Sequence, residues 1–213
     1  MMAEQDIDQL LAQAAVHMTG AANSGIKAAL FEVLAEFFTD SSSWWETLTV
    51  TLLPDTFDYT LTVSEGQVVR LAQVTDANGS PVAAVMPVVG TLHVARPPST
   101  AQVVYAVVIK TVTLPTAKQQ IPVAPDWVLP LWHVGILDGI LGKMMNMPAK
   151  SYSNADKAVY HLRRFRKAIS DARVSTLRAN THGTQAWRFP QTFSSRSQQG
   201  GVPSTANGNE RMF

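Results

Sequence analysis

The chain has 213 residues, enough for one or two domains, and only 15% of them are charged, well below the roughly 25% usual in soluble domains. Surface that poor in charge is expected to lie against partners, which suggests an obligate oligomer. Cysteine is absent, which excludes disulfides and thiolate metal sites.

The net charge of +1 conceals an asymmetry. Residues 1–142 hold 5 Lys/Arg against 13 Asp/Glu, a balance of −8, and residues 143–213 hold 12 against 3, a balance of +9. Opposed blocks of this size argue for an acidic partner, a nucleic acid, or self-association of basic on acidic surface. The start, Met1 to Asp6, is acidic where a secretory signal would be basic. The longest clean apolar run, Val103 to Ile109, is far shorter than the ~20 residues of a membrane-spanning helix. A soluble protein made in a cytoplasm is the expectation.

Along the chain, Ile7, Leu10, Leu11, Ala14, Ala15 and Met18 recur at helical spacing, and Gly20 ends that helix. Asn23 or Ser24 can cap a second helix, whose stripe is Ile26, Leu30, Val33, Leu34, Phe37 and Phe38. Asp40-Ser41-Ser42-Ser43 breaks it. The period then drops to two. Leu48, Val50 and Leu52 alternate with Thr47, Thr49 and Thr51, as in a half-buried strand. Strands follow around Tyr59–Val63, Val68–Thr75, Val82–Met86, Gly90–Val94 and Gln102–Leu114. Asn78-Gly79 suits a tight hairpin turn between two of them. Such spacing predicts a small antiparallel sheet, sandwich or barrel.

Pro115, Pro122 and Pro125 mark a linker. A helix over Trp132–Met147 carries Trp132, Ile136, Leu137, Ile140, Leu141 and Met144. The last helix opens at Asn154, with Ser153 and Asp156 resembling a capping box, and buries Val159, Leu162, Phe165, Ile169, Ala172 and Thr176. From about Asn180 the chain is rich in Ser, Gly, Gln, Asn and Thr and cannot bury enough apolar surface to fold alone. The expected class is α+β: a bundle of about four helices, an inserted antiparallel β domain and an extended C-terminal arm. Its segments are 1–43, 44–114, 115–125, 126–180 and 181–213.

Catalytic chemistry is hard to find. None of His17, His93, His133, His161 and His182 lies in a nucleophile-elbow context or at metal-ligand spacing, so no catalytic residue, metal or cofactor is assigned and no enzyme is expected. His17 and His133 read as partly buried, hydrogen-bonded histidines. Gly135, Gly139 and Gly142 lack the Gly-Lys-Ser/Thr of a phosphate loop, and their helical spacing points to close helix packing within or between subunits. Asp138 between them can pair with a basic residue or face solvent, and solvent or a subunit boundary is the expectation.

The basic run Arg163, Arg164, Arg166 and Lys167 has two readings. It is either a contact surface for a partner, a neighbouring subunit or DNA phosphates, or the wet face of an amphipathic helix with Phe165 inside. Trp187, Arg188 and Phe189 are residue types enriched at interface centres, and they either anchor the arm on a partner or pack on their own subunit.

Ile26-Lys27-Ala28-Ala29-Leu30, Leu34-Ala35-Glu36-Phe37-Phe38, Ser41-Ser42-Ser43-Trp44-Trp45 and Asp58-Tyr59-Thr60-Leu61 stand in sequence ahead of Val68-Val69-Arg70-Leu71 and Gly79-Ser80-Pro81-Val82. This order resembles the head–tail adaptor (connector, or tail-tube adaptor) proteins of tailed bacteriophages. The resemblance covers most of residues 23–180 and leaves out the Gly135–Gly142 cluster and the Trp187–Gln191 segment. It implies a structural virion protein at the head–tail junction, present in the host cytoplasm during assembly. Its partners would be a homo-oligomeric ring, usually of twelve subunits, the portal protein, and tail nozzle or fibre proteins. Such a ring extends the DNA channel, so non-specific contact with channel DNA is possible, and no membrane is involved. Another tail-completion or minor capsid protein, or a nucleic-acid-binding protein using the basic helix, are the alternatives.

Overall fold

The computed structural model of the chain describes residues 4–113 and 122–180. The elements run α1 (Glu4–His17), α2 (Asn23–Ser41), β1 (Trp45–Leu52), β2 (Asp58–Thr60), β3 (Gln67–Asp76), β4 (Ala84–Val88), β5 (Thr91–Val94), β6 (Gln102–Thr111), α3 (Val128–Met145) and α4 (Ala155–Asn180). The class is α+β, as expected. The chain divides into two units, Met1–Leu177 and Arg178–Phe213, and both sheets lie in the first. The expected arm, 181–213, lies outside the described residues.

The helices share one apolar core. Ile7, Leu10, Ala14 and Met18 enter it from α1, and Ile26, Leu30, Leu34, Phe37 and Phe38 from α2. From the far side come Ile136, Ile140 and Met144 of α3 and Phe165, Ile169 and Ala172 of α4. Phe38 is the aromatic hub, edge-on to Phe37 at 5.6 Å and tilted against Trp44 at 5.1 Å. Pro122 and Ala124 of the linker are also buried, so its second half belongs to this bundle.

Four local expectations need correction. The residue that caps α2 is Ala22, with no side-chain bond, so Asn23 and Ser24 already lie inside the helix. Asn154, not Ser153, caps α4: its Oδ1 accepts from the Lys157 N–H at 3.0 Å. Val159 is exposed, and the buried position beside it is Ala158. His17 is exposed, while His133 is half-buried and bonded through Nε2 to Gln13 Oε1 at 2.7 Å.

Helix α3 starts a turn earlier than predicted and is apolar on every side. It is one described helix long and apolar enough to cross a membrane, yet 56% of it is buried within the protein. A helix apolar all round is what a bundle centre demands.

The strands form two three-stranded antiparallel sheets, ordered β1-β6-β3 and β2-β5-β4. Leu52, Val74, Val104, Ala106 and Val108 from the first meet Leu92 and Val94 from the second in one apolar cluster, so the two form a small sandwich. β1 shows the predicted alternation, its threonines exposed and Leu48 and Val50 turned inward. The turn after β3 is wider than a two-residue hairpin. Asp76 accepts the Asn78 and Ser80 N–H groups on Oδ1 at 2.9 and 2.8 Å, and of the Asn78-Gly79 pair only Gly79 takes positive φ.

Strand β6 serves both cores. Its first half lies in the sandwich, while Thr111 Oγ1 donates to the Ala35 carbonyl of α2 at 3.1 Å and Val112 sits in the bundle core.

Candidate assembly surface on the last helix

The three glycines of α3 let α4 approach closely. A Cβ on Gly135 would stand 2.4 Å from Ala168 Cβ, one on Gly139 2.7 Å from Val33 Cγ1 and 3.0 Å from the Phe165 ring, and one on Gly142 2.8 Å from Leu162 Cγ. The contacts pair rising numbers on α3 with falling numbers on α4, so the helices are antiparallel, packed backbone to side chain within one subunit.

That packing draws Asp138 inside. The residue is only 5% exposed, which overturns the expectation of solvent or a subunit boundary. Its Oδ1 lies 2.7 Å from His161 Nδ1 and its Oδ2 3.0 Å from Arg164 Nε. Arg164 in turn donates from Nη1 to the Tyr160 hydroxyl at 3.0 Å and lies over that ring. Its pKa is raised above the ordinary arginine value, first by the Tyr160 hydrogen bond and then by the Asp138 carboxylate. Among the described residues no hydroxyl meets the other nitrogen of His161. The carboxylate–imidazole pair ties two helices together.

The four predicted cations of α4 consequently divide. Arg164 is committed to Asp138 and Tyr160. Arg163, Arg166 and Lys167 are exposed and make no ion pair among the described residues. Arg166 faces an open cleft of about 560 Å³ between α2, β3 and α4, whose lining includes Arg70, Arg173, Glu36 and Asp40. Lys167 lies on the opposite flank beside Leu131, Trp132 and Val134 of α3. Arg173 was legible as the residue two turns beyond Arg166. Arg70 was not, because only the fold brings β3 to this helix. Trp187, Arg188 and Phe189 lie outside the described residues.

The arrangement can present positive charge on a rigid rod, stiffened from beneath by the α3 contacts. On the α2 flank the charge is mixed, because Glu36 and Asp40 line the cleft with Arg70, Arg166 and Arg173, and Lys143 pairs with Glu36 at 3.0 Å. No family model matches the chain, and no curated protein matches it.

Proposed function

We propose that this chain is a structural virion protein. It assembles as a ring at the head–tail junction of a tailed bacteriophage, docks on the portal, extends the DNA channel and carries tail proteins. The observation that supports this reading best is α4: a helix on which Arg163, Arg166 and Lys167 are exposed and make no ion pair among the described residues, and which leads directly into the polar residues 181–213. A rigid basic rod followed by a segment too polar to fold alone suits a subunit completed by its neighbours. Portal surface and channel DNA both supply the opposite charge. The α+β architecture is compatible with the adaptor resemblance, and the role proposed is assembly, without catalysis.

The test is the mass of the purified chain alone and after mixing with the portal, by native mass spectrometry or light scattering. Stoichiometric ring formation on the portal is the expected result. A chain that ignores the portal yet binds DNA, with affinity falling steeply as salt rises, would replace this reading with the nucleic-acid one. The same exposed cations are what favour that second reading.

A further inference from the structure

The β1-β6-β3 sheet has two edges of opposite character. A free strand edge displays unpaired N–H and C=O groups, and proteins guard such edges with bulges, proline, lysine or covering loops. The β3 edge is guarded. Its register with β6 shifts between Val68 and Arg70 and again between Leu71 and Gln73, and Pro81 bridges to Thr75 across its outer side. Among the described residues β1 carries no bulge, proline or lysine. It runs in unbroken register with β6 from Trp45↔Ile109 to Leu52↔Gln102. Its one charge, Glu46, is neutralised by Lys110 at 2.7 Å.

The ladder shows which groups are open. The Lys110 N–H donates to the Trp44 carbonyl at 2.8 Å, so 44 and 110 form a hydrogen-bonded pair in this register. Antiparallel pairs alternate, so Glu46, Leu48, Val50 and Leu52 bond to β6. The backbone groups of Trp45, Thr47, Thr49 and Thr51 therefore point outward. Among the described residues β1 pairs with β6 alone. Those three threonines are exposed, and Trp45 is 46% exposed.

We infer that the β1 edge binds a second copy of this chain, strand to strand and antiparallel about a two-fold axis passing by Leu48. The edge is complementary to itself. Thr47 of one copy falls opposite Thr49 of the other and Trp45 opposite Thr51, all four residues having their N–H and C=O groups turned outward. Cross-strand threonine pairs are favourable, and no like charges face each other. The contact uses the same patch on both copies, so it closes after two. The guarded β3 edges then cap both ends of the joined sheet and stop it from growing. Self-complementarity and closure favour a second copy over a strand from another protein. The inference does not rest on the head–tail reading, because a two-fold strand pair is a different contact from the head-to-tail contacts of a ring.

Light scattering or sedimentation of the full chain alone, across the micromolar range, tests it. The mass is expected to rise with concentration from 23.2 kDa toward twice that value. Thr49→Pro deletes an outward N–H while leaving the β6 ladder intact, since proline is tolerated on the open side of an edge strand. Thr49→Lys keeps the N–H and sets cations near one another across the axis. Both variants should remain monomeric where the original chain is dimeric, with unchanged far-UV circular dichroism. Should Thr49→Pro fail to fold, Thr49→Lys decides the matter. A chain that is monomeric throughout overturns the inference, and so does a dimer indifferent to a folded Thr49 variant. A monomer that takes up a strand from another protein overturns the second-copy assignment as well.

Discussion

Asp138 has both carboxylate oxygens occupied, one by His161 and one by Arg164, in a site almost closed to water. Removing a buried acceptor leaves its donors without a partner, and that asymmetry outweighs the modest net value of the bonds themselves. Asp138→Ala is expected to lower stability by about 1–3 kcal/mol, read as a reduced urea midpoint at unchanged slope. Gly135→Ala forces a methyl into Ala168 and should cost about 1–3 kcal/mol, a loss that Ala168→Gly in the same chain should largely restore. A double-mutant cycle on urea unfolding measures that coupling. The raised pKa of Arg164 has a simple sign. Its contribution is complete below the ordinary arginine value and is lost only as pH climbs through the raised one, so this group adds no pH dependence to stability in the neutral range.

Among the elements, the clearest sequence signals came from periodicity with contrast. β1 alternates threonine with leucine or valine, and a half-buried strand is the one structure that satisfies both sets. Helix α3 offers no such contrast. With apolar residues on every side, nothing in its pattern tells which way Asp138 faces, and its partners stand more than twenty positions away on α4. The α4 stripe was legible except at Val159, where the larger side chain suggested burial and the smaller Ala158 occupies the core. Cap identities were blurred because Ser153, Asn154, Asn23 and Ser24 are all competent caps, and only backbone geometry chooses among them. On α4 the exposed cations make a quantitative prediction under the nucleic-acid reading. Arg166→Ala and Arg173→Ala should each lower the slope of log affinity against log salt by about one unit, measured by fluorescence anisotropy on duplex DNA of unrelated sequences. An unchanged slope would remove this flank from any DNA contact.

For the whole molecule, the first compact unit closes at Leu177, just short of the polar tail. Deleting residues 181–213 is expected to leave a chain that melts cooperatively and, under the head–tail reading proposed above, fails to dock on the portal, checked by circular dichroism and by co-sedimentation. An insoluble or unfolded truncation would make the tail part of the core and end the docking assignment. The α+β plan could be read in advance because the helical and strand periods occupy separate stretches of chain. The sandwich was less legible, since β2 has three residues and which strands share a sheet depends on pairings distant in sequence.

The chain enters the sandwich at Trp45 and leaves it at Ile109, two residues directly opposite each other on neighbouring strands, and Trp44 and Lys110 clasp the neck at 2.8 Å. The sixty-odd residues between them therefore join the bundle through two chain crossings one strand spacing apart, about 5 Å, with a further tie where Arg70 of β3 bonds to Ser42. Because β4 and β5 place no residue in the bundle core, the far sheet is expected to open and reclose without pulling α2 and α3 apart. Hydrogen exchange should register this as two tiers of protection, with β4 and β5 amides exchanging through openings that leave the Phe37 and Ile140 amides untouched.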